Sequence, residues 1–161
     1  MNAKKIARIG IISSLAVVTG YIESFFPPII PVAGFKIGLS NIAIMYALYK
    51  MGKQDAFLVM IVKVLITSLW FQGLNALIFS LFGGVFSLVA MIFADKLGLS
   101  KTGVGMSGGV FHNVGQIIAA AIVLGTTSAF YYILVLIPSG LLTGALVSVL
   151  ASILIKYTKN V

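Results

Sequence analysis

The chain has 161 residues, of which 60% are hydrophobic and only 9% are charged, and its mean hydropathy is +1.16. This composition excludes an ordinary soluble domain, and the length allows roughly six spans of about 20 residues in a single transmembrane domain, residues 1–161. The net charge is +8, and the basic residues that produce it lie between apolar runs. The positive-inside rule explains this placement, so no nucleic-acid partner is needed. The absence of cysteine excludes disulfides, thiolate metal sites and a cysteine nucleophile.

The first half of the chain predicts three spans. The first covers about residues 6–26, and the apolar segment 25–35 that follows holds three of the four prolines. Because prolines forbid a continuous helix, this segment is expected to form a loop on or in the membrane surface. The second span, roughly residues 36–50, is short. The third covers about residues 55–71 and ends at Trp70, an expected interfacial anchor.

The second half predicts three more spans. An uncharged turn at residues 72–75 leads into the fourth, which ends near residue 93 and has Gly83 and Gly84 as a kink or close-packing point. The fifth covers about residues 105–124. The last apolar run, residues 129–157, exceeds one membrane thickness and contains Pro138. We interpret it as one kinked or tilted helix, with an interfacial piece before Pro138 as the alternative.

The basic residues give the topology of this all-α, six-helix transmembrane bundle. If both termini are cytoplasmic, nine of the eleven basic residues fall at cytoplasmic helix ends: Lys4, Lys5, Arg8, Lys50, Lys53, Lys96, Lys101, Lys156 and Lys159. The turns near residues 73 and 126 then lie outside and carry none, as the positive-inside rule demands. The sequence therefore predicts a multi-pass protein of the cytoplasmic membrane, with Lys36 and Lys63 as exceptions to explain.

Lys63 lies inside the third span, about eight residues or ~12 Å from the predicted helix start. A lysine at the centre of a bilayer costs about 2.5–3.5 kcal/mol on insertion scales. Such a side chain either snorkels to an interface, pairs with a carboxylate such as Glu23, or faces a cavity as part of a binding site. We favour the cavity.

The fifth span holds a polar cluster of His112, Asn113 and Gln116. His112 and Gln116 are four residues apart and share a helix face, so they could bind a ligand together. They could equally join helices by hydrogen bonds, and the sequence leaves these two interpretations open. His112 is the single histidine and has no acidic neighbour in sequence, so no metal site is expected.

Other candidate ligand residues gather at the outer ends of the predicted helices. Glu23 lies before the proline-rich loop, with Lys36 and Asn41 after it, and Asn75 lies in the uncharged turn. Lys36 could attract an anionic ligand or lie at headgroup level.

Small residues recur at four-residue spacing, which permits close helix approach. Most of these pairs are expected to serve packing inside the bundle, among them Gly105 with Gly109 and Gly140 with Gly144. The pair Gly10 and Ser14 in the first span could instead dock another membrane subunit.

Two absences limit the chemistry. The sequence has no phosphate-binding Gly-x-x-x-x-Gly-Lys-Ser/Thr loop, which excludes an ATPase. Its three acidic residues, Glu23, Asp55 and Asp95, are dispersed, whereas ionising a prenyl diphosphate through magnesium requires clustered carboxylates. We therefore expect no catalytic residues and no bound cofactor.

Several of these elements together resemble a family of small bacterial membrane proteins, the Gx transporter or heptaprenyl diphosphate synthase component I family. The resemblance covers nearly the whole chain and depends on Glu23, on residues 36–41, on Lys63 and, most specifically, on residues 109–116 with their His-Asn-x-Gly-Gln element. In layout the family is also similar to the substrate-binding S components of energy-coupling factor vitamin transporters.

The likeness to S components implies a six-helix fold, a capping loop after the first helix, and a small-residue face on that helix which meets a coupling subunit. It thereby implies docking by Gly10, Ser13 and Ser14. The family name implies association with a prenyl synthase subunit, and related proteins make a quinone precursor, a prenyl diphosphate or a flavin a possible cargo.

Two functions follow as hypotheses. The first is a binding and transport subunit for a small anionic or isoprenoid-, quinone- or flavin-related molecule, which works with a transmembrane coupling subunit and an ATPase pair in the bacterial cytoplasmic membrane. The second is a non-catalytic accessory subunit that holds a soluble prenyl synthase at the membrane. A third, weaker hypothesis is an assembly partner for a membrane redox complex.

Overall fold

The computed structural model describes residues 2–25 and 38–158, without the side chains of Gln72 and Asn75. The described residues form six α-helices and no β-strand. The helices are α1 Ala3–Ser24, α2 Leu39–Lys50, α3 Lys53–Thr67, α4 Leu74–Lys96, α5 Lys101–Leu124 and α6 Ile133–Tyr157. A π-helix, Ser68–Gln72, extends α3, and a 3-10 helix, Thr127–Tyr132, precedes α6.

Local sequence accounts for several helix boundaries. The side chain of Asn2 accepts a hydrogen bond from the backbone N–H of Lys5 at the start of α1, and Ser100 accepts one from Gly103 at the start of α5. Gly73 has a φ of 83°, which only glycine adopts readily, and it separates the π-helix from α4. The predicted uncharged turn at residues 72–75 therefore exists as a single glycine reversal.

The last apolar run is broken at a different place from the one that the proline suggested. The 3-10 helix ends at Tyr132, and α6 then continues through Pro138 to Tyr157. Pro138 thus lies inside one helix, and the separate piece at the start of the run is the 3-10 helix. A proline's missing N–H is tolerated in a membrane helix when neighbouring groups compensate for the lost bond.

Five helices are long and apolar enough to cross a membrane, which indicates a multi-pass membrane protein. The 12-residue α2 falls below that length. Many large apolar side chains point outward, including Leu134 at 80% exposed and Leu142 at 74%. Such exposure would be a liability in water but is expected where the surrounding solvent is lipid.

The described helices pack as two groups. The contacts of α5 with α4 and with α6 are by far the most extensive in the bundle, whereas α1, α2 and α3 contact one another more sparsely. Glycines explain the difference. A Cβ atom on Gly109 would overlap the carbonyl oxygen of Gly140, and one on Gly144 would overlap that of Gly105. The predicted packing role of these two small-residue pairs is confirmed.

The larger of two buried apolar clusters among the described residues fills one end of the bundle. Its members come from the first residues of α1, α3 and α5 and from the last residues of α2, α4 and α6, for example Met45, Met60, Met91 and Val104. We call this the basic end, because the described lysines and the arginine at helix termini gather there.

Polar contacts tie the helices together at the basic end. The Lys5 ammonium lies 2.8 Å from a carboxylate oxygen of Asp55, which joins α1 to α3. The ammonium of Lys50 donates to the carbonyl of Thr158 at 2.8 Å, and the Lys101 ammonium lies 5.5 Å from the ring centre of Tyr49. The bundle is therefore closed at this end by both packing and charge.

The close approach of α5 and α6 predicts a specific loss of stability. We expect Gly109→Ala to lower the free energy of unfolding by about 1–3 kcal/mol, because the new methyl group must push the two backbones apart. Gly10→Ala is the matched control, since nothing lies within 4 Å of its added Cβ. Thermal unfolding of the detergent-purified protein measures both, and equal melting temperatures would contradict the proposed packing.

Candidate functional site

A cavity of about 860 Å³ occupies the space between the core of the basic end and the opposite end of the bundle. All six helices contribute to its lining, which runs along α5 from Gly105 to Leu124. Small-molecule sites in proteins measure roughly 300–1,000 Å³, so this cavity has the size of a binding site. Its walls combine polar side chains with apolar surface.

The fold brings most of the predicted ligand residues to this one cavity. The residues from distant parts of the chain that line it are Glu23, Asn41, Lys63, His112, Asn113 and Gln116. Lys36 and the proline-rich loop lie outside the described residues, apart from Phe25 at the end of α1. The side chain of Asn75 likewise lies outside the described part of the chain.

Lys63 and His112 lie at a similar depth in the bundle. Lys63 is ten residues from the first residue of α3 and His112 is eleven from the first residue of α5, which places both about 15–17 Å along their helices. Both are partly buried. They stand on different helix groups, so the cavity has one basic side chain on each side at mid-depth.

Gly83 makes room for the imidazole ring of His112. A Cβ atom on Gly83 would lie 2.8 Å from Cε1 of His112 and 3.0 Å from Nδ1. Gly115, one turn from His112, lets the backbone of α4 approach α5 in the same way, because its Cβ would lie 2.6 Å from the Phe82 carbonyl oxygen. The predicted close-packing role of the Gly83–Gly84 pair is confirmed, and it positions the histidine.

Asn113 joins helices. Its amide nitrogen donates to the backbone carbonyl of Leu136 at 2.6 Å and to the hydroxyl of Ser139 at 3.3 Å, both on α6. Of the two interpretations that the sequence leaves open, helix joining is what the structure shows for this amide nitrogen. Gln116 lies one turn further along α5, lines the cavity and is only partly buried.

Glu23 holds the start of α2. One carboxylate oxygen accepts the backbone N–H of Gly38 at 2.5 Å, and the other accepts that of Leu39 at 3.0 Å. These N–H groups belong to the first turn of a helix, where no intrahelical acceptor exists and a negative charge is favourable. The carboxylate is thus a structural anchor as well as part of the lining, a role that the sequence did not reveal.

The geometry can be compared with known proteins. A profile of the family described as heptaprenyl diphosphate synthase component I matches residues 12–154. The chain belongs to this family. Comparisons with curated proteins and with solved structures found no significant match. The resemblance inferred from sequence is therefore confirmed for component I, while the likeness in layout to S components stays a prediction.

The chain presents two of its three predicted docking residues on the surface. Gly10 and Ser14 are exposed on α1, where the Ser14 hydroxyl donates to the carbonyl of Gly10. Ser13 corrects the expectation, because its side chain is only 2% exposed and points into the bundle. One residue along a helix turns a side chain by about 100°, enough to move it from lipid to the interior.

Sequence reasoning missed several hydroxyl groups of the lining, notably Ser40, Thr67, Ser80 and Thr143. Thr67 donates to the carbonyl of Lys63 at 2.8 Å, and Thr143 donates to that of Ser139 at 3.0 Å. A hydroxyl that bonds to its own helix is tolerated anywhere in a span, so its presence signals nothing.

A metal site in a protein requires several ligating side chains close together. Across residues 2–25 and 38–158, no group of three or more His, Asp or Glu residues is placed to hold a metal ion. What the lining offers instead is hydrogen-bond donors, a lysine and an imidazole beside apolar surface, which suits an organic ligand.

The anchoring role of Glu23 predicts an effect on the ligand-free protein. We expect Glu23→Ala to lower the free energy of unfolding by about 1–3 kcal/mol, because it leaves two backbone N–H groups at the start of α2 without an acceptor. The neighbouring Ser24→Ala is the control, since Ser24 is exposed and bonds only to its own helix. An unchanged melting temperature of the ligand-free Glu23→Ala variant would contradict the anchoring role.

Proposed function

We propose that this chain is a membrane subunit that binds and helps to transport a small molecule. The observation that carries the proposal is the 860 Å³ cavity, whose mid-depth holds a lysine and a histidine from opposite helix groups. A basic side chain in an apolar bundle is costly, which makes an intramembrane site with ionisable residues a functional hypothesis by default.

The lining supports a small ligand that is anionic or related to isoprenoids, quinones or flavins. The Lys63 ammonium supplies positive charge and N–H donors. The imidazole of His112 adds ring nitrogens at a similar depth. Gln116 and Asn41 carry amides that can both donate and accept, which suits them to orient a ligand. Lys36 and Asn75 remain candidates for the outer part of the site.

The arrangement in the membrane is part of the proposal. All six helices, the short α2 included, cross the bilayer as a single domain, with both termini on the cytoplasmic side. The gathering of basic residues at one end supports this orientation, since cytoplasmic helix ends carry most lysines and arginines. The cavity then faces the outside of a bacterial cytoplasmic membrane.

Energy for transport would come from partner proteins, since the sequence has no ATPase motif. The exposed face of α1 that contains Gly10 and Ser14 is the proposed docking surface for a transmembrane coupling subunit. Small residues at four-residue spacing let two membrane helices approach closely.

The binding hypothesis predicts a bound molecule that depends on the two basic side chains. Native mass spectrometry of gently extracted protein should show an added mass, and the bound form should unfold at a higher temperature. A ligand at about 100 times its Kd stabilises a protein by about 2.7 kcal/mol. We expect Lys63→Ala or His112→Ala to abolish this stabilisation.

The control for the binding experiment is Lys96→Ala, because Lys96 is exposed in the last turn of α4 and does not line the cavity. It should retain the bound mass. Failure of the wild-type protein to carry any molecule, or to respond to flavins, quinone precursors or prenyl diphosphates, would count against binding.

The family description favours a second candidate, a non-catalytic accessory subunit of a polyprenyl diphosphate synthase. Such a subunit would hold a soluble synthase at the membrane, where its long-chain product partitions. The exposed basic side chains of the cytoplasmic end offer a docking surface for that partner. This role needs no cavity, which is why it ranks second.

Co-purification separates the two candidates. A transport subunit should retain a coupling subunit and an ATPase pair, and Gly10→Leu or Ser14→Leu should weaken that retention by obstructing close helix approach. Leu15→Phe is the control, because it changes an exposed apolar neighbour without filling the small-residue face. Thr19→Leu is less suitable, because Thr19 is partly buried. Recovery of a soluble synthase instead, with increased synthase activity, would favour the accessory role.

A further inference from the structure

The two walls of the cavity differ in chemistry. The described lining from α1, α2 and α3 consists of glycines and five polar side chains, Glu23, Ser40, Asn41, Lys63 and Thr67. It includes no large apolar side chain. The wall is a packed unit, since a Cβ atom on Gly20 would lie 3.5 Å from Cβ of Ser40 and 3.7 Å from Cγ2 of Thr67.

The opposite wall supplies the apolar surface. The large apolar side chains of the described lining come from α4, α5, α6 and the 3-10 helix before α6, among them Phe79, Ile117, Leu124, Leu136 and Val147. Polar side chains interrupt this surface: His112 and Gln116 at mid-depth, and the hydroxyl-bearing Ser80, Ser87, Thr126, Ser128, Tyr132 and Thr143 elsewhere. The amide nitrogen of Asn113 is already engaged with α6, so it contributes little to a ligand.

The charges of the described lining favour a ligand with a modest negative charge. Lys63 and His112 are its two nitrogen bases, and both lie at mid-depth, away from the ends of the cavity. Glu23 adds a carboxylate, but both oxygens accept N–H groups at the positive end of the α2 dipole, which offsets its charge locally.

These observations identify a ligand shape, on the assumption that the proposed binding function holds. We propose that the ligand is a compact aromatic or fused-ring organic anion whose polar groups lie along one edge. That edge faces Lys63, Asn41 and Thr67, and the apolar ring packs on Phe79, Ile117 and Leu136. An isoprenoid diphosphate fits poorly, because its charge is concentrated at one end and its long chain would leave the polar wall without partners.

Three probes of different shape test the proposal with the purified full chain. 3-Hydroxy-2-naphthoate has a ring with a polar, anionic edge, 2-methylnaphthalene has the ring alone, and farnesyl diphosphate has a chain with a charged end. We expect the naphthoate to bind most tightly by isothermal titration calorimetry and to raise the melting temperature most.

Matched variants assign the two walls. Lys63→Met should weaken naphthoate binding about tenfold or more, the loss expected for a charge-assisted hydrogen bond, whereas Lys156→Met on the exposed end of α6 should not. Phe79→Ala should weaken it about tenfold through lost ring contact, whereas Phe93→Ala, 63% exposed on α4, should not. Melting temperatures of the ligand-free variants show whether each one is folded.

The outcomes separate this inference from the binding function itself. Tighter binding of farnesyl diphosphate, equal binding of 2-methylnaphthalene, or an extracted native ligand that is neutral or chain-like would overturn the ring-anion assignment and leave the binding function intact. A protein that carries no native ligand and binds none of the three probes would overturn both.

Discussion

The structure depends on one constraint, that a polar group inside a hydrocarbon layer needs a partner within the protein. Glu23 meets this constraint at the start of α2, Asn113 meets it at the Leu136 carbonyl, and Thr67 and Thr143 meet it within their own helices. The Glu23 contact fixes a helix end, and the Asn113 contact fixes a helix pair. Glu23, Asn113, Thr67 and Thr143 also line the cavity, so contacts that organise the bundle shape its candidate site as well.

Glycine determines which part of the bundle is rigid. The backbones of α5 and α6, and those of α5 and α4, are in close contact. These three helices therefore form a unit in which even a small displacement causes a steric clash. The group of α1, α2 and α3 lacks comparable backbone contacts in number and meets the first unit mainly at the basic end. The cavity lies between the two helix groups, away from the basic end. A change in the shape of the cavity therefore requires only that the two groups separate at the opposite end.

Much of the fold could be predicted from sequence because lipid imposes long apolar runs and places basic residues at their ends. Lys63 and His112 were singled out because polar and ionisable side chains are costly in an apolar segment, and both line the cavity. The inward face of a helix could not be predicted, because in a membrane bundle both the core face and the lipid face are apolar and the usual amphipathic pattern fades. Ser13 and Ser14 illustrate this, since one is buried and the other exposed. The capping role of Glu23 could not be predicted for another reason. Its partners are backbone N–H groups 15 and 16 residues away, and almost every residue type has such a group.

The shortness of α2 has a consequence for access. Twelve residues make a helix of about 18 Å, whereas the hydrocarbon core of a bilayer is about 30 Å thick. In the proposed six-span arrangement, lipid beside α2 must thin, or give way to headgroups and water, over about two fifths of its depth. In that arrangement water and headgroups reach deeper beside α2 than beside the longer helices, and α2 carries Asn41 of the cavity lining.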